Sequence, residues 1–121
     1  MTYERGMAVR REVLGDEHVD RASTDAFTAP FQEFITKMAW GEVWARDGLD
    51  RRSRSMITLA LLAGLGRHEE LAMHVRAALR NGLTEAEIGE VLLHTAVYAG
   101  VPAANSAFAV ARRVLAADAD G

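Results

Sequence analysis

Residues 49–74 read Leu-Asp-Arg-Arg-Ser-Arg-Ser-Met-Ile-Thr-Leu-Ala-Leu-Leu-Ala-Gly-Leu-Gly-Arg-His-Glu-Glu-Leu-Ala-Met-His, and this stretch decides the fold. Asp50 is placed to cap a helix that starts with arginines. Met56, Ile57, Leu59, Ala60, Leu61, Leu62 and Ala63 then make it apolar almost all round. Such a helix must be buried, either in the domain centre or between subunits. Gly66 breaks it. A second helix from about His68 to Arg80 carries Leu71, Val75, Ala78 and Leu79 at helical spacing and stops at Asn81-Gly82, a pair that tolerates left-handed backbone.

Helices are predicted on both sides of this pair, and no convincing strand pattern interrupts them. Residues 3–14 form a short charged helix ended by Gly15, and residues 16–22 add a turn or two. Residues 23–29 are small and polar, which marks a connector. Thr28 can cap a helix with Pro30 in its first turn, where the missing N–H costs nothing. Phe31, Phe34, Ile35, Met38 and Val43 give that helix an apolar stripe, and it should stop near Arg46 before the Asp47-Gly48 turn. Thr84-Glu85-Ala86-Glu87 is a capping box for a helix reaching about Tyr98. Gly100 and Pro102 separate it from a last helix carrying Phe108, Val110, Ala111, Val114 and Leu115, with residues 116–121 as a frayed tail.

The expectation is a compact all-α bundle of about six helices in one domain spanning residues 1–121. Six helices in so short a chain, one apolar around its circumference, leave surplus apolar surface. A homo-oligomer is the usual remedy. With no cysteine, disulfides, thiol catalysis and thiolate metal sites are excluded. No His-x-x-x-His or His-Glu-x-x-His pair supports zinc, so no metal is expected. A formal charge of −3 argues against a nucleic-acid surface. No apolar run is long enough to span a bilayer, and the N-terminus lacks the apolar core of a secretory signal. The default location is the cytoplasm, with no membrane partner.

Several further motifs carry a resemblance. They are Tyr3-Glu4-Arg5-Gly6-Met7, Val9-Arg10-Arg11-Glu12-Val13-Leu14-Gly15, Trp40-Gly41-Glu42-Val43-Trp44, Met73-His74-Val75-Arg76-Ala77-Ala78-Leu79 and Tyr98-Ala99-Gly100-Val101-Pro102-Ala103-Ala104-Asn105. With residues 49–74 they resemble the decarboxylase branch of the carboxymuconolactone decarboxylase family over nearly all of residues 3–115. That family also holds alkylhydroperoxidase-like reductases, whose corresponding helix opens with Cys-x-x-Cys followed four residues later by His. The aligned positions here are Arg67 and Glu70, with the histidine kept as His74. Ser55 stands where the redox members place a glutamate. The resemblance implies an alkylhydroperoxidase-like fold assembled as a homotrimer or homohexamer. It also implies conversion of 4-carboxymuconolactone to the β-ketoadipate enol-lactone and CO2, without a cofactor, in protocatechuate (aromatic-acid) catabolism. The alternative is a non-catalytic or differently specific helical oligomer that binds a small lactone or carboxylate.

A dicarboxylate lactone of this kind carries its own electron sink, because the electrons left by CO2 can spread through the ring double bond to the lactone carbonyl. The protein must hold the acetate arm, stabilise the growing negative charge and protonate the dienolate carbon. His74 is the first choice for proton carrier, with Glu70 one turn earlier to orient the imidazole. The competing reading is a core histidine satisfied by a backbone carbonyl, and the resemblance tips the balance to function. His94, with Glu90 four residues before and Tyr98 four after, is either a second acid or oxyanion donor or a packing residue at a subunit face. Arg67 suits a bidentate carboxylate clamp, unless it pairs with Glu69 or Glu70. Arg51 and Arg54 lie in a first helical turn, where the dipole disfavours cations. An acidic side chain is the expected partner of Arg51, and Arg54 is left between side chain and substrate. Glu42 is either paired with an arginine or a perturbed acid–base group. Trp44, four residues from Trp40, is a packing residue that can also wall the pocket. His68 and His18 are read as surface residues.

Overall fold

The computed structural model describes residues 2–22 and 25–120, and every regular element among them is helical. The elements are α1 (Thr2–Leu14), α2 (Asp16–Arg21), α3 (Ala29–Ile35) continuing as a π-helical segment (Thr36–Trp44), α4 (Arg51–Leu65), α5 (His68–Arg80), α6 (Glu85–Ala99) and α7 (Val101–Asp120). Contacts gather into two compact units, residues 1–51 and residues 52–121. Among the described residues no helix is long and apolar enough to cross a membrane.

The first unit is built on backbone proximity. α1 crosses the π-helical segment with Gly6 against Thr36 and Gly41 against Thr2. A Cβ on Gly6 would lie 2.1 Å from the Thr36 carbonyl oxygen, and one on Gly41 would lie 2.6 Å from that of Thr2. Beside this crossing Val9, Val13 and Trp40 are buried, and the Trp44 ring leans on Trp40 with centroids 5.1 Å apart. Gly15, at φ +93°, turns the chain from α1 into α2. Arg11 ties the two helices together, donating to Asp16 (3.1 Å) and Asp20 (2.9 Å).

Three expectations for this unit change. The helix expected to run on to Arg46 switches from α to π pairing at Thr36, where α1 passes over it. The apolar stripe is not the buried side. Phe31 and Phe34 are more than half exposed, while Thr36, Trp40 and Gly41 are buried, because the close crossing selects the face carrying a glycine. Thr28 does hold the N-cap position but accepts no capping bond. Its N–H and hydroxyl both donate to the Asp25 carboxylate (2.8 and 2.9 Å). Residues 23 and 24 of the expected connector lie outside the described residues.

The second unit has a conventional apolar core. Leu59 and Ala63 from α4, Leu71, Val75 and Ala78 from α5, Ile88 and Leu92 from α6, and Ala107, Val110, Ala111 and Val114 from α7 form one cluster with Leu83. α7 packs against both α5 and α6. The helix ends follow the punctuation in the chain: Gly66 (φ +73°) and Gly82 (φ +99°) close α4 and α5. Thr84 and Glu87 form the expected capping box, with reciprocal bonds of 3.1 and 2.9 Å. α7 departs from expectation by staying helical through Asp120 instead of fraying after Leu115. Its last turns read Ala-Ala-Asp-Ala, and alanine is the strongest helix former. Gly121 lies outside the described residues.

Among the described residues only one side of α4 is covered. Ser55, Leu59 and Ala63 are buried, whereas Ile57, Leu61 and Leu65 are 47%, 58% and 71% exposed. The helix predicted to be buried all round therefore offers an apolar ridge at i, i+4 and i+8. α6 and the start of α7 offer another, through Leu93, Val97 and Val101.

Candidate active site

α5 begins directly after the Gly66 break, with Arg67 in the N-cap position. Helical periodicity places Arg67, Glu70 and His74 within about 60° of one another around the axis, over roughly two turns. A guanidinium, a carboxylate and an imidazole thus share one stripe. Their environments differ along it. Arg67 and Glu70 are exposed, whereas His74 is half-buried beside the core residues Leu71, Val75 and Ala78, with its Nδ1 shielded from solvent. An imidazole at the edge of an apolar core, with charged groups one and two turns outward, can exchange a proton with a substrate that the outer cation holds.

Ser55 is buried on α4, where its hydroxyl accepts a hydrogen bond from Asn81 Nδ2 (3.1 Å) at the far end of α5 from Arg67. This bond links α4 to the end of α5. A small hydroxyl with an amide partner here serves packing and leaves no carboxylate at the position. Arg54, one residue earlier, is half-buried in the first turn of α4, and its carbonyl accepts the Thr58 hydroxyl (2.8 Å).

On α6, His94 and Tyr98 stack along the helix with ring centroids 5.2 Å apart and an interplanar angle of 34°. Both are exposed, Tyr98 to 82%, and Glu90 is exposed one turn earlier. They flank the Leu93–Val97 ridge, so the aromatic pair belongs to the uncovered face of this unit.

Glu42 and Trp44 belong to the first unit. Glu42 is exposed and lines a shallow, mostly acidic surface cleft with Glu4, Glu33 and Lys37. Trp44 is half-buried on Trp40, in the packing role expected of it. Arg51 has the acidic partner expected of it, Glu12 at 2.7 Å. His68 is exposed and His18 half-buried.

Two arginines that the sequence reading did not single out do the most within their units. Arg52 grips the Glu87 carboxylate in a bidentate pair (Nη1 to Oε1 3.2 Å) and also donates to the Gly82 carbonyl. The Arg52 guanidinium and the Thr84 N–H hold the Glu87 carboxyl well below its ordinary value, at about 2. Nothing in the spacing of residues 52 and 87 announces this pair, because it is a contact between distant helices. Arg10 is buried in the first unit (7% exposed). A signal for it does exist: it falls four residues after Gly6 and three before Val13, on the helix face that crosses the π segment. An apolar groove of about 400 Å³ between α6 and α7, walled by Ile88, Leu92, Phe108 and Leu115, takes in none of the predicted site residues.

Residues 29–113 match the model of the carboxymuconolactone decarboxylase family. The chain is 49% identical to a 4-carboxymuconolactone decarboxylase of Acinetobacter baylyi, over 93% of this chain and 85% of that protein. It is 47% identical to a nitrosuccinic acid decarboxylase of Metarhizium robertsii, over 93% of this chain and 80% of that one. An uncharacterised 15.0 kDa protein of Paracoccus denitrificans is 30% identical over 83% of this chain.

Proposed function

Since the chain belongs to the carboxymuconolactone decarboxylase family, we propose that it is a carboxy-lyase converting 4-carboxymuconolactone to the β-ketoadipate enol-lactone and CO2 in the breakdown of aromatic acids. The reading of the site rests on the Arg67–Glu70–His74 stripe, with its imidazole at the core edge and its cation outermost. The bond from the ring carbon to the carboxylate breaks, and its electron pair moves through the ring double bond to the lactone carbonyl oxygen. The resulting dienolate takes a proton from the His74 imidazolium at the carbon beside that carbonyl, and the product leaves as the neutral lactone ring. His74 recovers its proton from water. Arg67 holds the acetate arm, and Glu70, one turn before His74, orients the imidazole. No external electron sink is required, because the substrate supplies one.

His94, Tyr98, Arg54, Glu42 and Trp44 complete the proposed set, His94 as second acid or oxyanion donor and the others as pocket walls and anchors. The exposed ridges Ile57–Leu61–Leu65 and Leu93–Val97–Val101 support a homo-oligomer, a trimer or hexamer, in which a second copy covers the face carrying His94 and Tyr98. The cytoplasm is the location that fits such a catabolic enzyme.

The test is a spectrophotometric assay with fresh 4-carboxymuconolactone, in which absorbance loss tracks CO2 release. His74→Ala should lower kcat by about 10²–10⁴-fold, the range for a positioned proton donor, with far-UV circular dichroism unchanged. Undiminished turnover in that variant removes His74 from the mechanism, and saturable binding without conversion by the native protein favours a non-catalytic binder. The Metarhizium relative favours one second reading, decarboxylation of nitrosuccinic acid. A nitro group beside a carboxylate is likewise an electron sink, so the same cation and imidazole would serve. Comparing kcat/KM for the two acids decides between them.

A further inference from the structure

Arg10 is an anomaly within the first unit. Its side chain comes from the middle of α1 and is buried to 7% exposure. One contact is to Thr36, whose hydroxyl accepts from Nη1 at 3.2 Å. Nε is sealed from the surface and donates to no protein group, and among the described residues no carboxylate pairs with the guanidinium. Burial pushes its pKa below the usual arginine value, opposed by Tyr3 and reinforced by Arg11. A cation withdrawn from water without a counter-charge is costly, and proteins ordinarily pair it.

The guanidinium is also one wall of a cavity of about 210 Å³, between α1, α2 and the α3–π helix. Across the cavity the Gln32 Oε1 position is likewise buried without a hydrogen-bond partner. Oxygen and nitrogen of that amide are interchangeable by a flip, so Gln32 can present a donor. Tyr3, Met7 and Val19 supply less polar wall. Asp20 reaches the cavity too, but both it and Asp16 hold Arg11. Arg11 is thus matched by carboxylates of its own, and among the described residues Arg10 is the lining cation that no carboxylate holds.

We propose that this cavity is a binding site for a small monocarboxylate, seated on the Arg10 guanidinium with its short apolar end toward Met7 and Val19. One carboxylate matches the single unpaired guanidinium of Arg10. A divalent oxyanion would leave excess charge facing Asp20, and the partly apolar walls favour a carbon tail. The site lies wholly within the first unit and uses none of the residues proposed for decarboxylation, so it can fail without touching that reading.

Acetate is the probe, titrated into the native chain at constant ionic strength balanced with sodium chloride. The Arg10 Nε–H resonance in ¹⁵N-resolved NMR should shift saturably. The melting temperature should rise by roughly 5 °C at a tenfold excess over the dissociation constant. Arg10→Met should abolish the rise, and if that variant does not fold, the native resonance decides alone. A resonance indifferent to acetate overturns the proposal, as does an equal rise in folded Arg10→Met or an equal response to chloride alone. A response to phosphate with none to acetate overturns the assignment to a carboxylate.

Discussion

The two units of this chain solve the problem of a small core in opposite ways. Residues 52–121 bury leucine, isoleucine, valine and alanine from four helices in one cluster. Their main polar tie, Arg52 to Glu87, stays at the surface, where the two side chains are 42% and 34% exposed. Residues 1–51 bury few of their apolar side chains and instead bring backbone against backbone at Gly6 and Gly41, with a tryptophan beside the crossing and an arginine inside. A core made of side-chain volume loses stability when atoms are removed. A core made of close approach loses it when atoms are added.

That contrast can be broken by substitution. The largest effect is expected from Leu71→Ala, which empties a fully buried position and should cost about 2–5 kcal/mol in urea unfolding followed by far-UV circular dichroism. Trp40 and Trp44, the two tryptophans of the chain, both report on the first unit. If residues 1–121 unfold as one domain, the fluorescence midpoint moves with the dichroism midpoint. A fluorescence transition that stays in place separates the units. Gly6→Ala comes next. Its new methyl group would lie 2.1 Å from the Thr36 carbonyl oxygen, so the helices must part, at a cost of about 1–3 kcal/mol. A neutral Gly6→Ala would mean that the crossing does not limit the first unit.

The smallest effect is one of pH. The Glu87 carboxyl has an ordinary value of 4.5 and sits at about 2 in the folded chain, held by Arg52 and then by the Thr84 N–H. A depressed carboxyl stabilises the fold above its unfolded value and loses that contribution as pH falls toward the folded value. The second unit should therefore weaken between about pH 4.5 and pH 2. Melting temperatures measured across that range should fall less steeply in Glu87→Gln than in the native chain, and parallel slopes would show that the pair contributes little.

Much of this was legible in the chain. Breaks at Gly15, Gly66, Gly82 and Gly100 depend on backbone freedom alone, and each has positive φ in the structure. The capping box at Thr84 is equally local, since its partners lie three residues apart. The Arg67–Glu70–His74 stripe needs only the period of a helix. What escaped reading were contacts between residues far apart in sequence. Arg52 with Glu87 is one. The choice of the Trp40 face over the Phe31–Phe34 face is another, since a hydrophobic stripe says that a face wants covering and not what will cover it.

Most helix ends follow from the chain alone, because caps and glycines act within a turn of themselves, and local spacing brings the Glu70 carboxylate and the His74 imidazole into line on α5 with the Arg67 guanidinium at its N-cap. Packing chose which faces were hidden, which arginine found a partner, and that Arg10 went inside. In the first unit those outcomes depend on the distance between two backbones, set at Gly6 and Gly41 by the absence of a side chain on each; in the second they depend on which distant side chains the packed helices bring together.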